Sequence, residues 1–209
     1  GAHRCPMAVI LHDDAEDLIG GWTPVAEHYG LILLDPWRRG GWGAGSEVKA
    51  HAAVDSAMTW ALTTFAVDTQ RIALIAHWSS GRAAMAFGGD RLDLFSRVVL
   101  ATTDYLETNV DSTNHTTQFL VTECWDNGRI IVNRIRALQH DGHPVQAFVG
   151  FRGLYGGAER YEWDMIGHWL QQSWATPALP SAPTPAVQTP PLLTAEMLQK
   201  MTTFWDKFR

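Results

Sequence analysis

The sequence predicts an α/β fold: a mostly parallel sheet of about six strands with helices on both faces. Three observations predict it. Short apolar runs alternate with longer segments of helical period between residues 7 and 174. Those runs are apolar at nearly every position, as in strands buried on both faces of a parallel sheet. The composition, 46% hydrophobic and 18% charged over 209 residues, supplies a sizeable core and excludes wholesale disorder.

The elements follow in order. Residues 7–11 and 31–34 read as short buried strands, the second running into Asp35-Pro36. Residues 47–65 read as a helix with Ser46 as its N-cap and Val48, Val54, Met58, Ala61, Leu62 and Phe65 as its apolar positions. A strand at 71–76 is followed by a helix opening at 82–87, and strands follow at 98–102 and 118–122. Residues 129–140 form a helix on the period of Ile131, Ile135 and Leu138. The body closes with a strand at 145–149 and a helix at 160–174. In such sheets ligands sit beyond the carboxyl ends of the strands. Attention therefore falls on the loops after Leu11, Leu34, Ala76, Thr102, Thr122 and Val149.

Six of the ten prolines lie between Pro177 and Pro191. Residues 176–191 carry no charge and no glycine, the composition of an extended, semi-rigid strap. Beyond it Met197, Met201, Phe204 or Trp205, and Phe208 recur at helical steps, with Thr194 as N-cap and Leu193 with Leu198 as the staple around it. Leu193 and the repeat are the expected docking residues. The expected organisation is a body over residues 1–175 and an arm over 176–209. The arm's apolar face is expected to dock either on its own body or on a protein partner in a larger assembly.

Composition also excludes functions. Lys and Arg total 16 against 22 Asp and Glu, with no basic stripe, so nucleic acid is not an expected partner. The apolar runs are too short to span a bilayer, and no signal-peptide core follows residues 1–4. Two cysteines, Cys5 and Cys124, make neither a disulfide framework nor a four-ligand metal site. The carboxylates of His12-Asp13-Asp14-Ala15-Glu16-Asp17 lack the spacing of a calcium loop and read as a solvated acidic turn. Arg38-Arg39-Gly40-Gly41-Trp42-Gly43-Ala44-Gly45 lacks the Lys-Ser/Thr of a phosphate loop. No cofactor and no metal are expected.

The order of signals resembles the α/β-hydrolase superfamily, in its short esterase, phospholipase-carboxylesterase and depolymerase-like branch. Ala8-Val9-Ile10-Leu11-His12 is similar to the strand before the family's oxyanion loop, and Leu33-Leu34-Asp35-Pro36 to its acid-ended strand. Trp60, Val67-Asp68 and Arg71-Ile72-Ala73-Leu74 resemble the approach to the nucleophile elbow. Leu94-Phe95-Ser96-Arg97-Val98-Val99-Leu100 resembles the segment after it. The likeness covers roughly residues 6–170 and implies that fold without a lid domain, since 104–117 is too short for one.

The resemblance implies a nucleophile in Ala76-His77-Trp78-Ser79-Ser80-Gly81, where the family has Gly-x-Ser-x-Gly. Counting from Arg71 or back from Phe95 puts Trp78 at the nucleophile position. A shift of one puts Ser79 there instead. Asp126 falls at the triad acid's position. Tyr155 stands where the family carries its histidine, and a phenol of pKa about 10 cannot relay a proton at neutral pH as imidazole does. The oxyanion loop is altered as well, with His12-Asp13-Asp14-Ala15-Glu16-Asp17 where the family has His-Gly and small residues. Nucleophile, base and oxyanion loop altered together lead to the expectation of a catalytically silent hydrolase fold acting as a structural or interaction subunit. Two alternatives stand beside it. One is a serine esterase using Ser79 and Asp126 with an unidentified histidine; the other is a binder of small ligands in the remnant cleft.

Overall fold

The computed structural model describes residues 4–12, 18–36, 47–77, 80–101, 116–123, 128–149 and 158–175. Six strands form one sheet: β1 (Cys5–Leu11), β2 (Ile32–Leu34), β3 (Val67–His77), β4 (Arg97–Ala101), β5 (Gln118–Glu123) and β6 (Val145–Val149). Five helices accompany them: α1 (Leu18–Tyr29), α2 (Glu47–Thr64), α3 (Gly81–Asp90), α4 (Gly128–His140) and α5 (Ala158–Ala175). The strand order is β2-β1-β3-β4-β5-β6, and all five pairings are parallel. This is the α/β sheet that the apolar runs predict.

Alternation along each strand divides the core in two. Met7, Val9 and Leu11 of β1 share one cluster with Ile72, Leu74 and Ala76 of β3, and with α2, α3 and α4 through Met58, Phe87 and Ile135. Ala8 and Ile10 of β1 join Ala73 and Ile75 of β3 on the other face, under α1 and α5 through Trp22, Trp163 and Ile166. Residues of period two therefore feed opposite layers, and both layers are helical.

Three expectations needed correction. Helix α1 was not anticipated: Gly20, Gly21 and Pro24 lie inside it, and each is a poor helix former. Its signal was nevertheless present, since Trp22, Val25, Ala26 and Tyr29 fall at helical steps; the first three are buried and Tyr29 packs against them. In α2, Val54, Met58 and Ala61 enter the core as expected, but Leu62 and Phe65 are exposed. The helix stops at Thr64, so Phe65 leaves the helical path before it can turn inward. The predicted strand at 71–76 is also longer, because Val67 pairs with Cys5 across a register shift at the start of β1.

Candidate active site

The chain runs from β1 outward to β2 and then returns to β3 on the opposite side of β1. The crevice between the carboxyl ends of β1 and β3 is thus the sheet's topological switch point, where open α/β sheets bind ligands. His12 follows β1 and His77 ends β3. Leu11 pairs with Ala76, so the two histidines occupy neighbouring positions at the rim of adjacent strands. Both are buried.

His12 is held by a carboxylate from the other side. The β1–β2 register joins Val9 to Leu34. One step further it sets Asp35 beside Ile10, diagonal to His12 and on the same face. His12 Nε2 lies 3.3 Å from Asp35 Oδ2, with the imidazole 3% and the carboxylate 21% exposed. The carboxylate is therefore reached by solvent while the imidazole is enclosed. Asp35 Oδ1 is buried and accepts no hydrogen bond among the described residues, an acceptor open to a donor from water or a bound molecule. His77 is pushed down to about 4, first by burial and then by the neighbouring His12. At neutral pH His77 is uncharged, so it places no like charge beside His12.

In the sequence two residues, Trp78 and Ser79, separate His77 from Ser80. Ser80 joins the described ends of β1 and β3 to the start of α3. It is fully buried; its hydroxyl accepts the His77 N–H at 2.9 Å and lies 2.6 Å from Leu11 O and 2.5 Å from His77 O. A hydroxyl so engaged ties the end of β1 to the start of α3 and does not serve as a nucleophile. Gly81 opens α3, two residues after Ser79, where the elbow pattern sets its second glycine.

One further polar group closes this rim. Glu162, on the first turns of α5, is buried and accepts a hydrogen bond from Thr122 Oγ1 near the end of β5. Thr122 lies on the same face as Leu120, beneath α5. Neither the His12–Asp35 pair nor Glu162 was singled out from sequence. The strand register could have found the first, because both residues end adjacent strands; Glu162 had no local signal.

The remaining predicted positions divide plainly. Trp78, Ser79, Asp126, Tyr155, the acidic turn at 13–17 and the whole arm at 176–209 lie outside the described residues. His143, before β6, is buried edge-to-face against Phe119 at 5.1 Å, and His140 is 89% exposed beside Asp141. Both sit at the end of the sheet opposite His12 and His77. His168 is exposed on α5. No cluster of three or more metal-ligating side chains occurs among the described residues, and no described helix is long and apolar enough to cross a membrane.

Sheet order, helix layers and a crevice at the carboxyl ends of β1 and β3 define a fold of the α/β-hydrolase type. Solved structures share this fold. A hyperthermophilic esterase from Pyrobaculum calidifontis superposes with a TM-score of 0.64 at 12% identity, over 84% of this chain and 79% of that one. Est1E from Butyrivibrio proteoclasticus gives 0.63 at 10% identity, over 84% and 90%. A dienelactone hydrolase-like promiscuous phosphotriesterase, P91, from metagenomic libraries gives 0.63 at 11%, over 82% and 88%. No family model and no curated protein sequence matches the chain. The similar structures overturn the expectation of a silent structural subunit and non-enzyme: they are esterases and hydrolases, which turns the reading to the esterase alternative.

Proposed function

We propose that the chain is a serine hydrolase of carboxylic esters, with Ser79 as nucleophile and His12 as the general base. The observation that carries this reading is the buried His12–Asp35 pair at the switch point, with Ser79 following in the sequence directly after the rim of β3, between His77 and Ser80. It supplies the imidazole that the sequence left unidentified. It also gives Asp35 the orienting task that the resemblance had given to Asp126.

In the tautomer that donates Nε2–H to Asp35, the lone pair is on Nδ1. Ser79 Oγ attacks the ester carbonyl while His12 takes its proton. The tetrahedral intermediate collapses, and the leaving alkoxide departs with that proton. Water then attacks the acyl-enzyme by the same route in reverse, returning Ser79 and releasing the acid. Asp35 stabilises the imidazolium formed in each half-reaction. Neutral His77 adds no competing charge.

The test is hydrolysis of a p-nitrophenyl ester together with labelling by a fluorophosphonate. Wild type is expected to hydrolyse the ester and to take up one label at Ser79. Ser79→Ala should abolish both. His12→Gln and Asp35→Asn should each lower kcat/KM by about 10²–10⁴-fold. Asp126→Asn in parallel decides which carboxylate orients the base. A folded wild-type chain that neither turns over ester nor takes the label would refute the reading.

A further inference from the structure

Large apolar side chains exposed among the described residues are confined to one place: Trp60 at 56%, Leu62 at 37% and Phe65 at 43%. All three lie within six residues, at the C-terminal end of α2 and the turn that follows. Trp60 and Phe65 meet edge-to-face at 5.3 Å. The surface around them is unusually dry in chemistry. From Ser56 to Val67 the chain has no charged residue. Thr63, between the aromatics, turns its hydroxyl inward to Thr59 O at 2.9 Å and Trp60 O at 3.0 Å, so its polar group is already satisfied. Trp60 and Phe65 form the contiguous part of this surface, while Leu62, two residues along the helix from Trp60, stands on the other flank of buried Ala61. An exposed aromatic pair with no charge beside it in sequence is a surface that a partner segment can cover.

The chain carries an occupant of matching chemistry. Met197, Met201, Phe204 or Trp205, and Phe208 repeat at helical steps after the Pro-rich strap. Helix α5 delivers the chain to the correct end of the sheet. Near its last residue, Ser173 and Trp174 are bonded to Arg97 and Ser96, at the start of β4. The C-terminal end of α2 leads into the start of β3, at the same rim. Extended at about 3.1 Å per residue, residues 176–192 reach about 50 Å. A body of about 175 residues is about 40 Å across, so the strap can round it. Tethering at such a length holds the segment at an effective concentration on the order of millimolar, above that of any free copy in dilute solution.

We propose that residues 193–208 fold as an amphipathic helix and dock in cis on the Trp60–Phe65 pair, with the strap as their tether. The segment is thereby a cover for its own body rather than an arm toward another protein.

The full-length chain, with Cys5→Ser and Cys124→Ser, tests this by adding Thr64→Cys and Lys200→Cys and treating with a bis-maleimide of about 10 Å span. The control pairs Lys200→Cys with His140→Cys, an exposed position at the same rim. Expected is an intrachain cross-link at monomer mass from position 64, at least ten-fold above that from position 140. Trp60→Lys with Phe65→Lys should abolish the excess. It should also speed proteolytic cleavage within 176–209 at least ten-fold, while leaving the far-ultraviolet circular dichroism unchanged. Cross-linked dimers would instead make a second copy the occupant. Equal cross-linking from 64 and 140, or patch-dependent binding to phosphatidylcholine vesicles, would also overturn the proposal.

Discussion

At the scale of single residues, burial decides what each polar group can do. His77 ends β3 with 6% exposure and is held near 4 by burial and by His12, against about 6.5 in the unfolded chain. Between those values the unfolded chain binds a proton that the folded chain refuses. Acid therefore favours unfolding. The contribution is complete above pH 6.5, falls as the pH drops toward 4, and is constant below it. The gap corresponds to about 3 kcal/mol. Urea unfolding from pH 7 to 4 should show wild type losing up to that amount more than His77→Gln. Equal losses in the two proteins would show that His77 does not titrate abnormally. The same residue explains part of what sequence could not reveal. A histidine at a strand end reads alike whether exposed or enclosed. Only the β1–β3 register, bringing His12 beside it, makes it an uncharged neighbour of the site.

At the scale of elements, α1 and α5 form the layer that roofs the His12 side of the sheet, and glycines set how closely they meet. A Cβ on Gly21 would lie 1.7 Å from Trp163 Cζ3 and 2.2 Å from Cη2. One on Gly167 would lie 2.5 Å from the Tyr29 ring and 2.7 Å from Val25 Cγ1. The Trp163 ring is buried against Trp22, with centroids 6.0 Å apart, so it has little room to withdraw. Tyr29 is partly exposed, at the edge of the cluster, with its hydroxyl donating to Asp164 Oδ1 at 3.2 Å, so it has more room to shift. Gly21→Ala should therefore destabilise by about 1–3 kcal/mol, despite alanine's better helix propensity. Gly167→Ala should cost less. Chemical denaturation of both variants checks the order, and a Gly21→Ala protein as stable as wild type would show that α1 slides freely on α5. This packing also explains why α1 was illegible while α4 was plain. In α4 the apolar period stands among good helix formers. In α1 the period of Trp22, Val25, Ala26 and Tyr29 is interrupted by residues that local propensity reads as loop. The glycine that most weakens the helix signal is the one Trp163 requires.

At the scale of the whole molecule, polar groups separate to the two ends of the sheet, and under the proposed function the two ends carry different tasks. The fold was legible because fully apolar strands and helical periods are local patterns that survive without tertiary information. The site was only half legible. Leu11-His12, Leu34-Asp35 and the elbow were each recognisable as strand ends. That His12 and Asp35 form a pair depends on the order β2-β1-β3, which no local pattern contains. At the opposite end the polar groups serve packing. Arg97 starts β4 buried and donates through Nε to Ser173 Oγ at 2.8 Å, through Nη2 to Ser173 O and through Nη1 to Ser96 O at 2.6 Å. Desolvation lowers its pKa only to about 10, so it stays cationic at the C-terminus of α5, where the last carbonyls and the helix dipole favour positive charge. Arg97→Met keeps the bulk and removes those donors, leaving the carbonyls of Ser173 and Ser96 without them. The expected loss is about 2–3 kcal/mol of stability. Because Arg97 is at the far end of the strands from His12 and Asp35, kcat/KM of the folded variant should stay within about two-fold of wild type. His12→Gln should show the reverse, a large fall in kcat/KM with a smaller loss of stability. Measuring urea midpoints and ester hydrolysis on both variants tests this division of labour. An Arg97→Met protein that is fully stable yet catalytically impaired would place chemistry at the wrong end of the sheet.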